Sequence, residues 1–185
     1  LAMFKSGLPH LDIPQDMAFI ATLYKFANKY SIKYIMNGGN ISTECVLMPL
    51  NIFYWGTDMI HIRDILNKFA DRPLESFPFS SIYYHKIYLR YIKQIKVVKP
   101  LNFVPYYKLK AQKLLEQSYG WIPYKQKHFE SRFTKFLEGY WLPTRFNYDM
   151  RRNQLSSLIL TEQLERDEAL KILESKPYSQ KDIHN

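Results

Sequence analysis

The chain has 185 residues, 46% of them hydrophobic and 16% aromatic, with only 6 Gly; it can bury a core and is not a disordered or repeat protein. Its formal net charge of +9 is concentrated, because residues 81–160 carry 15 Lys and Arg against 4 acids, whereas 1–80 balance at 7 each and 161–185 hold 4 against 6. A single cysteine, Cys45, excludes an internal disulfide and a multi-cysteine zinc site, and a reducing cytoplasm is the simplest home. Phosphates, on nucleic acid, a nucleotide or a sugar nucleotide, are the natural counter-ligand of the basic field. A merely soluble lysine-rich surface remains the alternative for Lys93 to Lys113. No apolar run of 18 residues exists, so no membrane span is expected. The first residues lack the apolar core of a signal peptide.

Asp12-Ile13-Pro14 predicts a capped helix that runs to about Tyr30 on a stripe of Met17, Ile20, Leu23, Tyr24 and Ala27. Ile32 to Met36 reads as a buried strand. The Asn37-Gly38-Gly39-Asn40 loop that follows either lets backbone N–H groups approach an anion, or is a tight turn using Asn and Gly for positive φ. Thr57 is expected to cap a helix with its apolar face at Ile60, Ile65, Leu66 and Phe69, stopped by Asp71-Arg72-Pro73. Ser80 opens another helix through Tyr91. Ile95 to Val98 is a short strand, and Pro100 to Pro105 a loop. A helix from Tyr107 to Ser118 carries Leu109, Leu114 and Leu115 on one side and stops at Gly120.

The chemistry concentrates in Gly120 to Asn153. There Lys125, Lys127, His128, Arg132, Lys135, Arg145, Arg151 and Arg152 lie among Trp, Tyr and Phe, offset only by Glu130, Glu138 and Asp149. Cations set in an aromatic wall suggest a pocket for a phosphorylated ligand, and four of them are Arg, the better fork for phosphate. A helix from about His128 to Tyr140 would put His128, Arg132 and Lys135 on one face, with Phe129, Phe133 and Phe136 as core beside them. Pro143 should break it. Asp149 should cap the next helix, whose first turn holds Arg151 and Arg152, cations that oppose the helix dipole unless an anion binds there. A last helix spans about Asp167 to Leu173, and 176–185 is a polar tail.

Walker, GxSxG, HExxH and Cys-based metal patterns are absent, and the five histidines show no metal-ligand spacing. His61 and His85 read as structural. His128 is either a general acid or base tuned by Lys127, Glu130 and Arg132, or a phosphate-facing donor. Cys45 has no base beside it in sequence and is a poor nucleophile candidate.

Several segments resemble the N-acetyl sugar amidotransferases of the PP-loop ATP pyrophosphatase class, which act in bacterial surface-glycan and lipopolysaccharide synthesis. They are Asp12-Ile13-Pro14-Gln15-Asp16, Tyr34-Ile35-Met36-Asn37-Gly38-Gly39-Asn40, Lys127 to Phe136 (KHFESRFTKF), Gly139-Tyr140, Leu142-Pro143-Thr144 and Tyr148-Asp149-x-Arg151-Arg152. The likeness runs from about Leu8 to Leu173, and its 127–152 block is specific. It implies adenylylation of an acetamido oxygen on a nucleotide-linked N-acetyl sugar by ATP with Mg, then displacement of AMP by ammonia to leave an acetamidino group. It also implies a partner glutaminase and a cyclase-like subunit that supply the ammonia. By position, Asn37, Gly38, Gly39, Asn40, Thr43 and Glu44 would line the ATP side. Lys127, His128, Glu130, Arg132 and Lys135 would face pyrophosphate and the activated amide, and Arg145, Arg151 and Arg152 would hold substrate phosphates.

The SGGxDS-type loop of that class is not in this sequence, and Leu1 is not a start methionine. The expectation is therefore the C-terminal part of a longer enzyme, inactive alone as an ATP pyrophosphatase. The expected fold is α/β. Residues 1–105 would be the later part of a PP-loop, Rossmann-like nucleotide-binding sheet domain. Residues 106–175 would form a mostly helical, basic substrate- and pyrophosphate-binding region, and 176–185 the tail. A PP-loop tRNA-modifying ligase or thiolase is the rival enzyme, and a non-catalytic nucleic-acid-binding module the rival class. Against nucleic acid, the aromatics fall at helix-core spacing and not as an exposed stacking platform.

Overall fold

A computed structural model describes residues 1–52, 58–124 and 126–178. The chain divides into two units, Leu1–Asn37 with Pro49–Val98, and Gly38–Met48 with Lys99–Asn185. The segment Gly38–Met48, grouped by sequence with the first part, thus packs with the second. Lys125 and the expected cap Thr57 lie outside the described residues. Among the described residues, no helix is long and apolar enough to cross a membrane.

In the first unit, α1 (Ala2–Ser6) packs on α4 (Met59–Phe69), and α2 (Ile13–Lys29) carries Pro14 in its first turn as predicted. Asp58 caps α4 by accepting from the Ile60 and His61 N–H groups at 2.9 and 3.4 Å. Strands β1 (Tyr34–Met36) and β2 (Lys96–Val98) pair in parallel, Ile35 opposite Val97, across a crossover that contains α4. One small core joins Ala27, Ile35, Leu89 and Ile95, and a second joins Ile13, Met17 and Ile62. Burying each large side chain there contributes about 1.5–3 kcal/mol.

Three expectations for this unit need correction. The first strand is not buried, since Tyr34 and Met36 are exposed and only Ile35 points inward. The inner face of α4 is Ile62 and Ile65, with Ile60 76% exposed. The helix expected from Ser80 is capped by Ser81, whose Oγ accepts from the Tyr84 N–H at 3.1 Å, and continues as the π-helix Tyr84–Ile92. Its wider turn brings Tyr84, Tyr88 and Leu89 to the core and leaves Ile87 and Tyr91 outside, a face that a 3.6-residue wheel misplaces.

In the second unit, Asn40 caps the short α3 (Ile41–Glu44) through the Thr43 N–H at 2.9 Å. This segment is tied to α8 (Arg151–Leu160) by its neighbours: the buried Ser157 Oγ accepts from the Val46 N–H, and Thr161 Oγ1 donates to the Ser42 carbonyl. Helix α5 (Lys108–Tyr119) ends at Gly120 in the left-handed region, as predicted, but its Leu109, Leu114 and Leu115 are exposed. Helix α9 (Arg166–Glu174) closes the unit.

The centre of the unit departs most from expectation. Ser131 caps α6 (Arg132–Phe136), a π-turn follows over Leu137–Trp141, and α7 (Leu142–Phe146) continues without interruption. Pro143 does not break this helix. Its ring would clash with the Gly139 carbonyl in a regular α-turn and it donates no N–H, and the widened turn just before it absorbs both defects.

Candidate functional site

Two features of local structure build the site. The turn before α6 puts His128 in the left-handed region at φ 70°, which takes it off the helix where Arg132 and Lys135 lie. Such a conformation costs a non-glycine residue on the order of 1–3 kcal/mol and has to be held by its surroundings. The holder is Glu138, delivered by the π-turn, whose Oε1 lies 2.7 Å from His128 Nδ1. Its side chain is only 5% exposed, and among the described residues its Oε2 is buried without a hydrogen-bond partner. The Glu138 contact raises the His128 pKa above its ordinary value against the opposing pull of burial.

Beside this pair a cavity of about 910 Å³ opens within the second unit, bordered by α5, α8 and α9. Trp121, Leu155, Leu158 and Ile172 supply apolar wall, while Lys108, Lys127, His128 and Glu130 supply charge. The Lys127 ammonium is held 2.8 Å from Glu44 Oε1, so a predicted nucleotide-side residue and a predicted pyrophosphate-side residue meet directly. An imidazole oriented by a buried carboxylate, next to a half-apolar cavity with cations on its rim, can move a proton at a bound polar ligand.

The remaining predicted residues are placed as follows. Arg151 borders the cavity but is 6% exposed, and its donors are occupied by the Asp149 carboxylate and by the carbonyls of Ile172, Leu173 and Ser175. It clamps the start of α8 to the end of α9. Lys135 lies 5.8 and 5.6 Å from the ring centres of Phe129 and Tyr178, and Arg145 sits 4.9 Å from that of Trp141. Arg132 and Arg152 are exposed on their helices. Asn37 ends β1, donating to the Val98 carbonyl at 2.9 Å. Gly38 and Gly39 both lie outside the left-handed region, so the loop is not a positive-φ turn.

Glu138, Lys108, Gln126 and Gln154 are the site residues that sequence reading missed. In the sequence Glu138 reads only as an offset to charge; its one signal is an acid set between the apolar Leu137 and a glycine. Glycine at 139 makes room for the Tyr178 ring, since a Cβ there would lie 2.8 Å from Tyr178 Cδ2 and the ring would have to shift.

Residues 130–185 match the model of a family described as LPS biosynthesis protein WbpG-like, C-terminal domain. The matched stretch takes in Glu130, Glu138 and Arg151. No curated protein and no solved structure matches the chain. This part of the chain is therefore similar to a domain of lipopolysaccharide-biosynthesis proteins.

Proposed function

We infer that the chain is the C-terminal part of an ATP-dependent amidotransferase that turns an acetamido group of a nucleotide-linked sugar into an acetamidino group in surface-glycan synthesis. The carrying observation is the His128–Glu138 pair at the edge of the cavity. The likeness of 130–185 to a lipopolysaccharide-biosynthesis domain supports the pathway class.

With Nδ1–H donated to the Glu138 carboxylate, the neutral imidazole keeps Nε2 as its proton acceptor. Once ATP has adenylylated the amide oxygen and pyrophosphate has left, ammonia attacks the amide carbon. The new C–N bond forms, the C–O bond to AMP breaks, and Nε2 takes the proton lost by the attacking nitrogen. Glu138 then stabilises the imidazolium. Lys127, with Glu130, Arg132 and Lys135 near it in sequence, would face the departing pyrophosphate, and Arg145 and Arg152 the substrate phosphates. Arg151 supports them by fixing α8.

On the nucleotide side, Gly38, Gly39, Asn40, Thr43 and Glu44, which pack with the second unit, would line the ATP site, with Asn37 preceding them in the chain. A Cβ at Gly38 would meet no atom within 4 Å and its φ is not positive, so the space beside its backbone is open to a ligand. Magnesium would arrive with the ATP phosphates, and among the described residues no group of three or more His, Cys, Asp or Glu could hold a metal ion. Ammonia would come from a glutaminase with a cyclase-like subunit.

The test is incubation of the full reading frame with ATP, Mg, ammonium and a panel of nucleotide-linked N-acetyl sugars. Sugar-dependent release of AMP and exchange of one oxygen for NH in the sugar, read by mass spectrometry, are expected. Turnover that needs tRNA in place of sugar would overturn the reading and favour a tRNA-modifying ligase.

A further inference from the structure

We propose that Lys108 and Lys127 form an anion subsite in the cavity of the second unit, and that it holds the phosphate of a sugar phosphate whose apolar side lies against Trp121 and Leu155. The inference rests on the reading above for its ligand class, and assigns a residue, Lys108, that the reading does not use. Of the other cations bordering the cavity, Arg151 is committed to Asp149 and His128 to Glu138, Lys176 is exposed, and Lys127 gives one of its three N–H donors to Glu44. Lys108 has no ion pair among the described residues, although it is half-buried at the start of α5. Burial first, and then the positive charge of Lys127, depress its pKa below the ordinary lysine value. Both ammonium groups border the same cavity, and an anion bound between them would offset their repulsion.

The wall also offers neutral donors. Gln126 and Gln154 both border the cavity, and among the described residues each has a buried amide nitrogen without an acceptor. The terminal torsion of glutamine is soft, so a ligand oxygen can draw either amide into a hydrogen bond at little cost. Glu130 and Glu168 border the cavity too, so the ligand needs hydroxyl or amide donors as well as its negative charge. A sugar phosphate has both. An inorganic anion has only the charge. The cavity volume of about 910 Å³ is ample for such a molecule.

The experiment is calorimetric titration of the 185-residue chain with N-acetylglucosamine 1-phosphate, with N-acetylglucosamine and with inorganic phosphate. The sugar phosphate should bind more tightly than either part. K108M should weaken it by about tenfold or more, the loss expected for one charge-assisted contact. K110M, which removes the lysine 4.4 Å from the Tyr107 ring centre on the same helix, should leave binding unchanged. Should K108M fail to fold, NMR of the ¹³C-methylated native chain decides: the Lys108 signal must titrate at higher pH once the sugar phosphate is added. Equal binding by K108M, no binding by the native chain, equal affinity for inorganic phosphate, or an unmoved Lys108 signal would overturn the subsite. None of these readouts uses ATP or ammonia. Failure of the amidination assay with binding intact sinks only the reaction, whereas amidination by K108M with unchanged KM sinks only the subsite.

Discussion

Arg151→Met separates a structural arginine from a phosphate-gripping one. The native guanidinium is 6% exposed, makes a forked contact to Asp149 at 2.7–3.1 Å, and donates to three carbonyls at the end of α9. Methionine fills similar volume but strands the carboxylate and the carbonyls. Removing one member of a buried pair costs about 3–5 kcal/mol. The Asp149 side chain is 21% exposed and can be rehydrated, so the lower end, about 3 kcal/mol, applies. With a urea slope of about 2 kcal/mol/M, the midpoint of the second unit should fall by about 1.5 M. Tryptophan fluorescence reports it, since Trp121 and Trp141 both lie in that unit. Arg151→Lys keeps the charge, loses the fork, and should fall between the two. Arg152→Met, exposed, should stay within about 0.5 kcal/mol of the native chain. A midpoint for Arg151→Met equal to that of Arg152→Met would refute the clamp and return Arg151 to the ligand.

Glu138→Gln should bring the His128 pKa back down toward its ordinary value, as followed by the imidazole proton shift in NMR. Because the folded pKa is raised, the pair stabilises fully below the unfolded value near 6.5 and loses that contribution as pH rises through the folded value. Native stability should therefore decline across that window while Glu138→Gln stays flat, and identical pH profiles would contradict the pairing. Gly139→Ala must displace the Tyr178 ring from a 2.8 Å approach and should cost about 1–3 kcal/mol in urea denaturation. In the first unit, burial and the nearby His61 lower the His10 pKa to about 4. Its contribution is present above pH 6.5 and is lost as pH falls from there toward about 4, so His10→Phe should flatten the acid limb of the stability curve.

Local signals carried much of the fold. The proline in the first turn of α2, the turn acids and glycines, the two β-branched runs and the glycine stop of α5 are properties of neighbouring residues, and each predicted its element to within a few positions. Their faces were less legible. Ile60, Tyr34 and Leu109 are apolar and exposed, because a periodic pattern marks a candidate face and only the packing partner chooses among the candidates. For the site, Lys127, His128 and Glu130 border one cavity because they are neighbours in the chain, whereas Arg132 and Lys135 of the same expected group do not border it.

What sequence alone determined, then, is where charge and aromatic surface concentrate and where most helices begin and end. Tertiary structure decided which of those charges remain available to a ligand. A widened turn before Pro143 brings Glu138 onto His128, α9 captures Arg151, and a half-buried Lys108 borders the same cavity as Lys127, nineteen positions away. Each outcome depends on desolvation and on partners distant in the chain, and the free energy of a charge is set by those two things and not by its neighbours in sequence.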